Sequence, residues 1–283
     1  MNIQWYPGHM TKTRRMIEEQ IKLCDLTAEI VDARIPVSSR NPDIEELTKG
    51  KPRLIILNQV DKADPAETAK WNEFFRSQGL SVIETDCKSG AGVKSFAPAV
   101  RRLMKERIER DRERGQTRTI RVMILGVPNV GKSSLINRLA GRKVAKTEDR
   151  PGVTRGKQWC VVEKGLELLD TPGILWPKFE DEQIGMHLAF TGAVRDQVID
   201  VETLAANLAS LLAERYPGAL TRRYKVDDLS GGGFAVLERC ARKRGFLISG
   251  GEVDIERMAN ILLDEYRAGT LGRMTLEPLA ESE

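Results

Sequence analysis

Short apolar runs alternate with amphipathic stretches through roughly the first three fifths of the chain. The periodicity predicts helices over 11–23, 41–49, 65–77 and 93–114, and strands over 26–31, 54–57, 80–84 and 121–125. Asn41-Pro42 supplies an N-cap followed by proline at the first helical position. Leu54-Ile55-Ile56-Leu57 is apolar without alternation, as expected of a strand covered on both faces of a parallel sheet. Two more strands are expected over 158–162 and 166–169. Beyond Pro177 the pattern turns helical, over 188–194, 201–214, 233–243 and 255–266, with no strand pattern between. The expected fold class is therefore α/β: a doubly wound, mostly parallel sheet over 1–180, followed by a smaller all-helical domain over 181–283.

Composition narrows the class. With 283 residues, 30% charged and 41% hydrophobic, the chain can bury a full core and is not of disordered type. The first residues carry no apolar leader and no later run reaches membrane-spanning length, so a cytoplasmic protein with no membrane partner is expected. Cys24, Cys87, Cys160 and Cys240 lie far apart and suggest neither a metal site nor a disulfide framework. The net charge of +4 is uneven: residues 1–180 hold 33 Lys and Arg against 24 Asp and Glu, and residues 181–283 hold 12 against 17. Segment 101–121 alone has nine basic and four acidic residues, read either as a solvated helix face or as a polyanion contact.

The chemistry centres on Gly126-Val127-Pro128-Asn129-Val130-Gly131-Lys132-Ser133, a match to the phosphate-loop pattern between an apolar strand and a helical start. Backbone amides of Asn129, Val130, Gly131, Lys132, Ser133 and Ser134 are expected around the phosphates of a nucleotide. Lys132 is placed on the β- and γ-phosphates and the Ser133 hydroxyl on Mg²⁺. Asp170-Thr171-Pro172-Gly173 ends the strand over 166–169, where Asp170 is expected to reach Mg²⁺ and the Gly173 amide to face the γ-phosphate. Thr154, in the polar stretch between them, is read either as a residue that closes over the metal or as an ordinary loop residue.

Asn58-Gln59-Val60-Asp61 ends the strand over 54–57. A carboxylate at Asp61 can accept from guanine N1–H and the 2-amino group, donors that adenine lacks, which selects GTP and GDP. Asn58 would brace the loop, and Asp86-Cys87-Lys88-Ser89 can offer a backbone amide to the guanine O6.

Here the base-reading motif precedes the phosphate loop, the reverse of the usual order. In this the chain resembles a circularly permuted GTPase, specifically the YlqF/RbgA (ribosome biogenesis GTPase A) family. The resemblance spans the chain through Trp5-Tyr6-Pro7-Gly8-His9-Met10, Asp32-Ala33-Arg34-Ile35-Pro36, 126–133, Asp149-Arg150-Pro151-Gly152-Val153-Thr154 and 170–177. It implies hydrolysis of GTP to GDP and phosphate, with the helix over 93–114 as the closing helix of an ordinary GTPase joined to its opening strand. The family has lysine where this chain has Gln59, so weaker nucleotide affinity with guanine choice intact is expected, with Lys62 pointing elsewhere. Ile174 occupies the place of the water-orienting glutamine of Ras-like enzymes. The resemblance points to His9 as its substitute; the other reading is a structural histidine fastening the N-terminus. His187 is expected to be structural. Asn129 either helps bind K⁺, as in potassium-stimulated GTPases, or only shapes its loop.

As partner the resemblance implies the large ribosomal subunit and its rRNA, with binding in the GTP state, release after hydrolysis, a monomer off the ribosome and no DNA. A GTP-dependent protein-binding switch without RNA is the alternative; a stand-alone hydrolase is disfavoured. Arg222-Arg223-Tyr224-Lys225 and 239–246 are basic clusters with an aromatic, read either as RNA contacts or as solvated helix faces.

Overall fold

The computed structural model describes residues 10–141, 158–171, 173, 181–194 and 200–280. Six strands, β1 (Leu26–Asp32), β2 (Arg53–Asn58), β3 (Ser81–Thr85), β4 (Ile120–Leu125), β5 (Gln158–Glu163) and β6 (Leu166–Asp170), form one sheet in the order β3-β2-β1-β4-β6-β5. All neighbours run parallel except β5 against β6. Strand order reverses between β1 and β4, so the loops after these strands leave the same edge and flank the crevice where open α/β sheets bind ligands. The unalternated apolar run of β2 is buried through Leu54–Asn58, and every residue of β1 is buried, as two-sided coverage demands.

Helices α1 (Met10–Gln20), α2 (Pro42–Leu47) and α3 (Pro65–Ser77) lie where the periodicity places them. Asn41 caps α2 by accepting from the Asp43 amide, and Asp64 caps α3 by accepting from Ala66 and Glu67. The helix expected over 93–114 is not continuous. A 3₁₀ turn over Val93–Ser95 leads into α4 (Phe96–Leu103), and a distortion at Met104 (φ −98°, ψ 11°) separates it from α5 (Lys105–Glu113). The apolar face Phe96–Val100–Met104 is buried, whereas α5 buries no residue and departs from the core.

After α6 (Lys132–Leu139) and the β5–β6 pair come α7 (Glu182–Phe190), α8 (Val201–Arg215), α9 (Pro217–Tyr224), α10 (Gly232–Arg244) and α11 (Ile255–Ala268). The helix expected over 188–194 in fact starts at Glu182, capped by Asp181, and stops at Phe190. Helix α9 was hidden by its brevity, although Pro217 at its first turn is a start signal. One apolar cluster runs from Leu54 and Ile124 of the sheet to Leu204, Leu237 and Leu262 of the helices.

The last described residues turn back onto the sheet edge. The Met274 amide donates to the Lys62 carbonyl, the Leu276 amide to the Arg34 carbonyl, and Trp71 Nε1 to the Glu277 carbonyl. The Glu277 carboxylate accepts from the Val37 and Ser38 amides and lies 2.7 Å from His187 Nδ1. That makes His187 a structural residue, as expected. Among the described residues no helix is long and apolar enough to cross a membrane.

Candidate functional site

The phosphate loop connects β4 to the first turn of α6. Gly131 precedes Lys132 with φ 109°, and a Cβ there would lie 2.3 Å from Asn58 Nδ2, so both its conformation and its neighbour require glycine. Lys132 is buried and donates to the Gly126 (3.0 Å) and Val127 (2.8 Å) carbonyls of its own loop. Burial pulls its ammonium down to about 8, against the opposing attraction of Asp170. Asp170 is buried at the end of β6, and Thr171 Oγ1 donates to the Ile124 carbonyl, joining that strand end to β4. A Cβ on Gly173 would lie 2.8 Å from Pro128 Cα, so this backbone sits against the phosphate loop with no room for a side chain.

Asn58 ties three loops together. Its Nδ2 donates to the Val130 carbonyl (2.7 Å), and its Oδ1 accepts from Thr85 Oγ1 (3.1 Å) and the Cys87 amide (3.0 Å). The end of β2, the end of β3 and the phosphate loop are thereby held in one frame. Asp86 shapes its own turn by accepting from the Lys88 and Ser89 amides. Burial raises its pKa and these bonds outweigh that, leaving it below the usual carboxylate value. The Cys87 amide already serves Asn58, so a base carbonyl arriving there shares that donor. Arg138 of α6 supports the same turn from below, donating to the Cys87 and Lys88 carbonyls. Asp61 is exposed at the mouth of this frame.

Gln59 stands in the left-handed region at φ 62°. Its Nε2 donates to Asp32 Oδ2 (3.1 Å) and its Oε1 accepts from Lys62 Nζ (3.0 Å). Lys62 folds back onto Gln59 and also donates to the Arg267 carbonyl, so neither of its bonds goes to the phosphate loop. Burial, reinforced by nearby Arg34, lowers its pKa. Behind it Arg34 is fully buried, bonded twice through its guanidinium to the Asp32 carboxylate and stacked over Tyr266 at 5.3 Å. Asn129, at φ 57°, donates through Nδ2 to the Gly192 carbonyl (2.7 Å) beyond the end of α7.

Comparison with known proteins gives this geometry a family. A family model described as "50S ribosome-binding GTPase" matches residues 121–216. Ribosome biogenesis GTPase A of Priestia megaterium is 46% identical over 100% of this chain and 99% of its own length. The chain belongs to the ribosome biogenesis GTPase A family. The family member from Thermotoga maritima is 33% identical over 97% of this chain and 94% of its own length. A solved GDP-bound YlqF structure matches with a TM-score of 0.69 and 30% identity, covering 93% of this chain and 98% of that one. Membership makes this chain a guanine-nucleotide-binding GTPase with the rotated order of motifs read from the sequence.

Of the expected site residues, Asn58, Gln59, Asp61, Asp86, Cys87, Lys88, Asn129–Ser134, Asp170 and Gly173 lie at the loop edge of the sheet. His9, Thr154 and Ile174 lie outside the described residues. Arg138, Asp32, Arg34 and Lys62 carry the frame but were not assigned roles from sequence: Arg138 and Lys62 reach distant backbone carbonyls, and Asp32 and Arg34 pair with each other, contacts that no motif spacing records. The basic clusters are largely internally paired. Tyr224 is buried, Arg223 and Arg244 pair with Glu265, Arg239 with Asp228 and Arg242 with Glu238. Segment 101–121 behaves alike: Arg101 pairs with Glu163, Arg107 with Asp25, and Arg121 with Glu167. For these arginines the solvated, ion-paired face is the better description.

Proposed function

We propose that this chain hydrolyses GTP in the cytoplasm during assembly of the large ribosomal subunit, docking on the immature subunit in the GTP state and leaving as the GDP form. The observation that carries the reading is the Asn58–Val130 brace, which sets the base-reading loop and the phosphate loop around one crevice in a chain matched end to end by ribosome biogenesis GTPases. Residues 1–180 act as the GTPase domain and 181–283 as the helical domain that presents the nucleotide state to rRNA.

Asp61 selects guanine, and the amides of 129–134 with Lys132 hold the phosphates. The Ser133 hydroxyl and the Asp170 carboxylate are hard oxygen donors that would hold Mg²⁺. Bound there, Mg²⁺ would supply positive charge to offset that of the nucleotide phosphates. Lys132 donates to the Gly126 and Val127 carbonyls of its own loop and is attracted by Asp170, so a γ-phosphate arriving there meets its ammonium. A water attacks the γ-phosphorus, the bond to the bridging oxygen breaks with its electron pair staying on GDP, and the water's proton leaves with phosphate. On the family resemblance, Thr154 closes over the metal and His9 positions the water; Asn129 Oδ1 offers a ligand to K⁺.

Co-sedimentation with large subunits tests this. Binding with a non-hydrolysable GTP analogue and release with GDP is the expected result. Equal sedimentation in both states, or none, overturns it; capture of a protein without RNA in the GTP state would favour a protein-binding switch.

A further inference from the structure

The turn that carries Asp61 is fastened to the C-terminal part of the chain at several points. Lys62 Nζ bridges Gln59 Oε1 (3.0 Å) and the Arg267 carbonyl (2.9 Å) in the last turn of α11. Its stem lies against Gly269, the residue that caps that helix. Arg273 donates to the Val60 (2.7 Å) and Ala63 (2.9 Å) carbonyls, and the Met274 amide to the Lys62 carbonyl. The same helix end reaches α7: the Arg267 guanidinium donates to the Ala189 (2.9 Å) and Phe190 (3.1 Å) carbonyls. Gly192, just beyond, takes the Asn129 amide of the phosphate loop. The carbonyl ends of α7 and α11, the negative ends of their dipoles, thus meet one donor from each nucleotide loop.

We propose that Lys62 is a positioning residue that couples guanine-nucleotide affinity to the seating of the α11 C-terminus on the base-reading loop, with Gln59 as its acceptor in place of a lysine. The inference rests on the reading of 58–61 as the guanine loop. Position 59 is neutral here because its side chain must accept from an ammonium as well as donate to Asp32. A lysine at 59 cannot accept, and it would bring a second cation to Lys62 beside Arg34. Restoring the family's residue alone therefore breaks the bridge. Coupling of this kind is reciprocal: what α11 contributes to GDP binding, GDP returns as protection of the α11 end.

The test combines GDP titration with hydrogen exchange on the full chain. In the wild-type protein, saturating GDP is expected to slow exchange of amides 267–274. Lys62→Met, which keeps the stem and removes the donor, is expected to lower GDP affinity about tenfold and abolish that protection. Lys62→Arg, which keeps a donor, restores most of both, and Gln59→Lys gives no gain in affinity. Wild-type protein that binds GDP without any change at 267–274 overturns the coupling whether or not the variants fold. So does Lys62→Met with unchanged affinity and protection, or Gln59→Lys binding tenfold tighter. Wild-type protein that binds no GDP removes the guanine-loop reading as well, which separates the two failures.

Discussion

Asn58 Nδ2 lies 2.7 Å from the carbonyl oxygen of Val130, a residue 72 positions further along the chain. Through that bond and its two acceptor contacts to Thr85 and Cys87, one buried amide sets three loops that arise from three separate strands. Asn58→Ala leaves buried donors and an acceptor without partners, and the expected cost is about 3 kcal/mol of folding stability. Urea unfolding measures it, and GDP affinity should fall alongside; a loss under about 0.5 kcal/mol would mean the loops hold their places without the brace.

Lys132 gives the nucleotide site a proton linkage. With its pKa depressed to about 8, the ammonium loses its proton above pH 8 in the nucleotide-free protein. Phosphates favour the charged form, so GDP binding above pH 8 takes up a proton, and affinity is full below pH 8 and falls as pH rises through it. Calorimetry at pH 8.5 in buffers of differing ionisation enthalpy should report net uptake. Zero uptake there would mean that the ammonium already holds its proton in the nucleotide-free protein.

Arg34 and Asp32 form a buried pair whose removal is asymmetric. Arg34→Met strips the carboxylate of its guanidinium and is expected to cost about 3–5 kcal/mol, read by chemical denaturation. The double change Arg34→Met with Asp32→Leu should recover part of that loss, because no lone charge then stays buried. A double variant weaker than the single one would indicate a role for Asp32 beyond holding Arg34.

The thiols should be inert in the native protein. All four cysteines are buried, and burial pushes Cys24 and Cys240 to about 12 and Cys87 to about 11. A thiol whose folded pKa is raised favours folding fully below about pH 9, and that contribution is lost as pH rises toward 11 and 12. Alkylation at pH 8 should label none of the three within minutes and all of them after denaturation. Rapid native labelling of Cys87 would show that the turn beside the base opens.

Much of the sheet was legible because its strands are bare apolar runs such as 54–57, which only two-sided burial explains. The candidate site's residues could be gathered from sequence because glycine spacing and strand-end carboxylates mark them at short range, and they lie at one edge of the sheet. What the periodicity could not give was decided at long range. The 93–114 helix breaks where Met104 is the last residue to reach the core, and α7 starts early because Asp181 caps it. Lys62 turns to Gln59 because the α11 carbonyl end, 205 residues away, completes its coordination. The basic clusters looked available for RNA in part because Glu265, which pairs with both Arg223 and Arg244, lies far off in sequence.

The returning segment of residues 273–277 has a bearing on how the molecule is made. The turn bearing Asp61 emerges from translation well before the groups that clasp it, since Arg273 lies 213 residues beyond the Val60 carbonyl it bonds. A nascent chain therefore cannot clasp that turn until Arg273 has been added, and a protein stalled short of Arg273 carries the turn without its clasp.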